Sequence, residues 1–341
     1  MRAFPTLLAC AALLALVPAV AAQPYAPPST YAVGGPVVRS LLDSAALGGP
    51  REVRVAMRYP VGAPGPRPVV VWSHGGSTGK TNPLRSGPAW GEALAAAGYV
   101  VFSVAHPARR GAPMQALCQH VGYATAPACR AGFRSLQWDR AHDQKAVLDA
   151  VERMAARAPW RDRIDPERIA VAGHSAGSGA AAQLAGALRT VGTLADVSAP
   201  DPRPEAFLLL ALQGPGGQAG FRPDAWGPID RPVFGATGAG DVTQNQDPKN
   251  RVRAFDSIRS KGSQLLFLDD RAAAHTLFNL EPAACERRGG APAHCAAMAD
   301  VVRTSAVAFL DAHLLGRRAA AAWLASDDVA QAAGGPTWVR P

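Results

Sequence analysis

Residues 168–177 have the sequence RIAVAGHSAG, in which an apolar run is followed by a glycine-flanked serine. The apolar run before Gly173 predicts a short buried strand, and the small residues from Ala176 onward predict a helix. Gly173, Ser175 and Gly177 therefore form a G-x-S-x-G pattern between a strand and a helix. So sharp a turn requires small residues on both sides of the serine, which it exposes as a candidate nucleophile. The alternative, a Gly-rich turn with an incidental serine, fits this context less well.

Apolar and amphipathic segments alternate along the rest of the chain. Strands are predicted over 52–59, 68–73, 99–105, 168–172, 206–212, 232–236 and 264–268, and helices over 88–97, 133–156, 176–188, 251–260, 297–315 and 319–333. This alternation predicts the α/β class, with a mostly parallel central sheet and helices on both of its faces. Residues 23–35 are expected to be loose, and residues 107–133 to form a loop insertion. Ligands of such sheets bind at the carboxyl ends of the strands.

The first 22 residues predict a secretory signal peptide. Arg2 precedes an apolar run over 7–20 that is too short to span a membrane, and small residues then precede Gln23. Residues 23–341 are expected to form a single domain without a transmembrane segment, in a periplasmic or secreted protein. The net charge of the 341-residue chain is +9, but the arginines are scattered. We therefore expect at most a weak attraction to anionic surfaces and no nucleic-acid binding.

Four cysteines remain once Cys10, which lies in the predicted signal peptide, is set aside. Export to an oxidising compartment favours disulfides, and four cysteines allow three connectivities. We prefer the pairing of neighbours, Cys118 with Cys129 and Cys285 with Cys295. Neither pair has the C-x-x-C spacing of a metal site, so no metal is predicted.

A serine nucleophile requires a base, and the base requires a carboxylate that orients it. His275 follows the last predicted strand closely enough to reach the end of the sheet where Ser175 lies. Asp241 follows the strand over 232–236 and satisfies the chain order serine, acid, histidine. Asp247, in the same loop, is the alternative acid. The sequence predicts a triad of Ser175, His275 and Asp241.

Residues 74–81, HGGSTGKT, allow two interpretations. A phosphate-binding P-loop, G-x-x-x-x-G-K-[ST], would need glycine at position 74, which is histidine, and a helix directly after Thr81. An oxyanion hole would need a close-approaching backbone N–H after the strand over 68–73. The second interpretation fits, with N–H groups from Gly76 and Ala176, or with Ser77 as the less favoured alternative to Gly76. Lys80 is then only solvated.

Other polar residues are expected to lie outside the catalytic site. His106 follows a strand but is expected to be structural, and His174 is expected to point away from the site. Arg140 and Asp143 are interpreted as an i,i+3 pair on a helix face, without chemistry.

The chain resembles the α/β-hydrolase superfamily, and within it the dienelactone-hydrolase-related and platelet-activating-factor-acetylhydrolase-like serine esterases. The resemblance is carried by VVVWSHGG (69–76), EALAAAGYVVFSVAHP (92–107), RAHDQKAVLDAV (140–151) and RIAVAGHSAG (168–177). It implies ester hydrolysis without a metal or organic cofactor. Two features depart from this group. Dienelactone hydrolases use cysteine where this chain has Ser175, and the acetylhydrolases place the acid where this chain has Gln213.

These observations predict an exported serine hydrolase that cleaves carboxylic esters of small molecules or lipids through an acyl-enzyme. Lipid acetylhydrolase and polyester hydrolase activities would use the same mechanism, and so would amide or peptide hydrolysis. A catalytically dead binding module is the alternative from another class. The intact Ser175, Asp241, His275 and HGG sequence argue against it.

Overall fold

The computed structural model describes residues 24–76, 79, 81–131, 137–216, 220–243, 246–332 and 337–339. The predicted signal peptide lies outside the described residues. Ser77 and Lys80 lie outside them as well, together with the start of the helix predicted from residue 133.

A mixed sheet forms the centre of the described chain. Its strands are β1 (Ala32–Asp43), β2 (Arg51–Val61), β3 (Arg67–Ser73), β4 (Val100–Val104), β5 (Ile164–His174), β8 (Pro204–Leu210), β9 (Val233–Gly238), β10 (Gln264–Leu268) and β11 (Thr337–Val339). They lie in the order β1-β2-β4-β3-β5-β8-β9-β10-β11. The pairs from β4 to β10 are parallel, and the outer pairs β1–β2, β2–β4 and β10–β11 are antiparallel.

Ten α-helices occur among the described residues. They are α1 (Pro88–Ala96), α2 (Gly111–His120), α3 (Ala126–Ala131), α4 (Trp138–Ala155), α5 (Ala176–Ala185), α6 (Pro248–Asp256), α7 (Ala283–Glu286), α8 (Pro292–Leu315), α9 (Arg318–Ala325) and α10 (Asp328–Ala332). The predicted α/β class, a mostly parallel sheet with helices on both faces, is confirmed.

The central strands are buried on both faces. Val70 and Trp72 of β3 belong to an apolar cluster that includes residues of α1 and α8, whereas Val69 and Val71 belong to a second cluster with residues of α4. Successive side chains of a strand point to opposite faces, so each face needs its own covering helices. This explains why the strand is continuously apolar in sequence.

Three features were not predicted. β1 begins within the segment that was expected to be loose. It was not predicted because its residues are mostly exposed and show no clear alternation of apolar and polar side chains. Residues 107–133 contain α2 and α3 rather than loop alone. Residues 188–206 contain a small antiparallel hairpin, β6 (Arg189–Val191) and β7 (Leu194–Val197), and no larger cap.

The cysteines lie in the preferred neighbour pairs. Cys118 and Cys129 are at disulfide distance and join the ends of α2 and α3, and Cys285 and Cys295 join α7 to α8. α8 is long and apolar enough to cross a membrane, but 67% of its apolar window is buried within the molecule. It packs as a core helix against the sheet.

Candidate active site

Ser175 lies on a strained turn between β5 and α5. Its backbone has φ 55° and ψ −119°, a conformation that side-chain-bearing residues rarely adopt. The turn is crowded, because a Cβ on Gly177 would lie 2.1 Å from the carbonyl oxygen of Ser73. The turn therefore requires glycine at position 177, and it leaves the Ser175 side chain only partly buried.

His275 and Asp241 meet at the carboxyl edge of the sheet. His275 begins a short 3-10 helix after β10, and Asp241 lies in the loop after β9. The His275 Nδ1 and Asp241 Oδ1 atoms are 2.6 Å apart, and the hydroxyl of Thr237 donates to the other carboxylate oxygen at 2.9 Å. Asp241 is fully buried. A carboxylate only accepts hydrogen bonds, so Nδ1 of His275 carries a proton and Nε2 is left to act as a base.

The alternative acid, Asp247, has another role. It is the N-cap of α6, and its side chain accepts a hydrogen bond from the Asn250 N–H at 2.7 Å. A carboxylate in this position satisfies a backbone donor that has no partner within the helix. The structure therefore brings Asp241 to His275 and leaves Asp247 as an exposed cap.

Arg251 of α6 contacts the same carboxylate and was not predicted. Its Nε lies 3.1 Å from Asp241 Oδ1, and the guanidinium also donates to the carbonyls of Ala211 and Leu212. Burial lowers the pKa of Arg251, and the Asp241 charge opposes this shift. Arg251 thus joins the loop after β9, which holds Asp241, to the end of β8. No feature of the sequence near Arg251, which lies one helical turn after Asp247, indicates this contact.

His174 was expected to point away from the site, but it contacts His275. Its Nε2 lies 2.9 Å from the His275 carbonyl oxygen, and the two ring centroids are 4.8 Å apart. Burial and, to a smaller extent, the neighbouring His275 lower the pKa of His174 to about 3. His174 is thus neutral near pH 7, and because a carbonyl only accepts, its proton lies on Nε2.

These contacts place the His174 ring beside His275, next to the Ser175 turn. Within the described residues, no hydrogen bond joins the Ser175 hydroxyl to the His275 ring. Catalytic hydrogen bonds are often long in enzymes without substrate and shorten when substrate binds.

The loop after β3 lies against this turn. A Cβ on Gly75 would lie 2.7 Å from His174 Nδ1 and 3.0 Å from the Ser175 Cβ. Gly76 follows in a left-handed conformation with φ 81°. Its N–H donates to no acceptor in the part of the chain that the structure describes. Ala176 is the first residue of α5, so its N–H lacks an intrahelical acceptor.

Comparison with known proteins addresses the fold. No family model matches the sequence, and no curated protein does. Among solved structures, the chain is similar to a ferulic acid esterase from Streptomyces cinnamoneus, with a TM-score of 0.56 and 22% identity. The similarity covers 87% of this chain and 93% of the esterase chain.

The chain has the α/β-hydrolase fold. At this identity the comparison shows the fold alone, and the narrower resemblance to dienelactone-hydrolase-related and acetylhydrolase-like proteins stays a prediction.

A separate serine–histidine–aspartate arrangement, formed by Ser73, His106 and Asp143, lies next to the Ser175 turn. The Ser73 hydroxyl is 2.8 Å from His106 Nε2, and His106 Nδ1 is 2.9 Å from Asp143 Oδ2. All three residues are at most 1% exposed, so no substrate reaches this serine. Burial holds the pKa of His106 well below its usual range, with Arg140 and Arg51 adding to the shift. The structural role predicted for His106 agrees with this geometry.

Arg140 and Asp143 differ from the surface pair that was predicted. Both are buried, and each contacts other residues. Asp143 accepts a hydrogen bond from Arg51 Nε at 2.7 Å, whereas Arg140 donates to the carbonyls of His74 and Gly76. Sequence reasoning missed this because the partners are 64 to 92 positions away in the chain.

Proposed function

We propose that this chain is an exported serine hydrolase that cleaves carboxylic esters through an acyl-enzyme. The observation that carries the proposal is the 2.6 Å contact between His275 and the buried Asp241, at the same edge of the sheet as the strained turn of Ser175. A buried carboxylate that fixes the tautomer of a histidine near a partly exposed serine is the arrangement that activates a serine hydroxyl.

In this mechanism Ser175 Oγ attacks the ester carbonyl while His275 Nε2 accepts its proton. Asp241 stabilises the imidazolium that forms. The N–H groups of Gly76 and Ala176 donate to the oxyanion of the tetrahedral intermediate. His275 then gives the proton to the leaving alcohol, and a water molecule, activated by the same imidazole, releases the acid from Ser175.

The substrate proposal is a small ester or the accessible end of a larger one. The described chain between α5 and β8 contributes only the β6–β7 hairpin, which supports an open site. The similarity to a ferulic acid esterase supports including esters of aromatic acids beside aliphatic ones. Lipid acetylesters, polyesters and amides are the alternative substrates of the same triad.

The test is hydrolysis of p-nitrophenyl acetate, butyrate, octanoate and palmitate, and of methyl ferulate, by residues 23–341. Ser175→Ala serves as the inactive variant, and Ser178→Ala serves as its matched control because Ser178 lies on the same helix but donates only to the Ser175 carbonyl. We expect the wild type and Ser178→Ala to cleave at least one ester and Ser175→Ala to cleave none. Loss of activity in neither variant, or no ester hydrolysis by the wild type, would contradict the proposal.

A covalent probe separates the alternative functions. A fluorophosphonate probe that labels Ser175 in an enzyme inactive on esters would favour amide substrates, whereas no labelling would favour a dead binding module.

For export, we expect the mature protein recovered outside the cytoplasm to begin at Gln23. The cysteine pairs are compatible with an oxidising compartment. An intact N-terminus on that protein would contradict cleavage at this position.

A further inference from the structure

The first three backbone carbonyls after β3, those of residues 74–76, contact side chains. The His74 and Gly76 carbonyls accept hydrogen bonds from the two terminal nitrogens of Arg140, at 2.6 and 2.5 Å. The Gly75 carbonyl between them lies 2.8 Å from Nδ1 of His74. Three successive peptide groups are therefore fixed in orientation.

Fixing a carbonyl also fixes an N–H group. In a planar trans peptide the N–H points opposite to the C=O of the same unit. The Gly75 carbonyl belongs to the peptide that carries the Gly76 N–H, and the Gly76 carbonyl belongs to the next peptide, whose N–H is the alternative oxyanion donor. Arg140 holds the peptides on both sides of the Gly76 N–H, so the direction of that donor depends on the guanidinium.

Arg140 is itself held by the buried cluster below the loop. It lies on α4, is fully buried, and its NH1 atom is 3.5 Å from the Ser73 hydroxyl. Because neutral His106 donates from Nδ1 to Asp143, its Nε2 accepts from the Ser73 hydroxyl. That leaves the lone pairs of Ser73 Oγ facing Arg140. The second serine–histidine–aspartate arrangement thus serves as a support beneath the loop.

The guanidinium also brings charge to the site. Burial lowers the pKa of Arg140 to about 10, so it is a cation at neutral pH. The cation contacts the Gly76 carbonyl and so places a positive charge beside the proposed oxyanion hole. Lysine could not replace it fully, since a single ammonium cannot reproduce the planar fork that reaches two carbonyls.

We propose that Arg140 is a positioning residue for the oxyanion hole, which holds the His74–Gly76 loop by its carbonyls so that backbone N–H groups face the reacting carbonyl of the substrate. The proposal rests on the proposed function of Ser175. It assigns to the buried Ser73–His106–Asp143 cluster the task of holding Arg140 in place.

The test compares Arg140→Met and Arg140→Lys with the wild type on p-nitrophenyl butyrate. Removal of an oxyanion donor costs about 100- to 1,000-fold in kcat, and a misdirected donor should cost part of this. We expect Arg140→Met to lose roughly 10- to 100-fold in kcat with KM within about threefold, and Arg140→Lys to recover part of the loss. Should Arg140→Met not fold, the lysine variant decides the test.

Arg231 offers a matched control. It also donates to backbone carbonyls, those of Asp201 and Pro204, but at the start of β8 and thus at the opposite edge of the sheet from Ser175. We expect Arg231→Met to lower the free energy of unfolding without changing kcat. Equal losses of kcat in the Arg140 and Arg231 variants would show a general structural effect and overturn the proposal, as would a folded Arg140→Met enzyme with kcat within threefold of the wild type.

Crystal structures of the wild type and the Arg140 variants provide the readout that needs no activity. We expect the Gly76 carbonyl to rotate away from its present direction in Arg140→Met. An unchanged path of residues 74–76 would refute the positioning role. If the wild type hydrolyses no ester, the proposed function fails, and this structural comparison alone decides whether Arg140 holds the loop.

Discussion

Gly177→Ala should damage both the fold and the site, by an amount that follows from the crowding of the Ser175 turn. The added Cβ would lie 2.1 Å from the Ser73 carbonyl oxygen, whereas ordinary contact begins at 3.4 Å, so helix α5 and strand β3 must separate by about 1.3 Å. Overpacking of this kind costs about 1–3 kcal/mol in unfolding free energy. A displacement near 1 Å between catalytic groups can cost roughly 100-fold in rate.

The assay is urea unfolding followed by circular dichroism, together with kcat on p-nitrophenyl butyrate. We expect a loss of about 1–3 kcal/mol and a fall of at least tenfold in kcat. Gly227→Ala is the control, because the nearest heavy atom to its added Cβ is an Asp224 oxygen at 3.3 Å. If Gly177→Ala matches Gly227→Ala in stability and in kcat, then the turn tolerates a side chain and the steric reasoning is wrong.

Three other expectations can be tested with single or paired substitutions. Asp241→Asn removes the acceptor that fixes the His275 tautomer, and kcat should fall by about 10⁴-fold while the protein stays folded; a loss below tenfold would exclude Asp241 as the acid. His174 has a folded pKa of about 3 against 6.5 when unfolded, so the unfolded state binds the extra proton between these values. Stability should therefore fall by up to about 1.4 kcal/mol per pH unit below pH 6.5, and urea titrations of His174→Gln should show a slope smaller by about one proton. Replacing Cys285 and Cys295 together by serine opens a short loop and should cost about 2–3 kcal/mol in urea unfolding with kcat retained; a midpoint equal to that of the oxidised wild type would show that the pair is not bonded.

Local sequence patterns predicted the fold because the central strands are buried on both faces. The apolar run Val69–Trp72 and the small residues of the GHSAG turn are local patterns of a few residues, so a strand and a strand-to-helix turn could be predicted there from the sequence. β1 could not be found in this way. Its residues are mostly exposed, and its path is set by hydrogen bonds to β2 rather than by its own apolar period.

Local patterns predicted some residues of the candidate site and missed others. Ser175, His275 and Asp241 were predicted from their places after strands, because the carboxyl ends of parallel strands meet at one edge. Arg140 and Arg251 were missed, since nothing near them in the chain indicates which carbonyls they contact. The sequence indicates which residues end a strand, but it does not indicate which long side chain reaches that point from a helix.

The buried Ser73–His106–Asp143 cluster bears on how hydrolases are recognised from coordinates. A template search for a hydroxyl, an imidazole and a carboxylate at hydrogen-bonding distance would select this cluster, whose two contacts are 2.8 and 2.9 Å, in preference to the partly exposed candidate site, where no hydrogen bond joins Ser175 to His275 within the described residues. Interatomic distance would thus rank the inaccessible constellation first. In this molecule the property that separates the candidate site from the buried cluster is whether a water molecule can reach the serine oxygen.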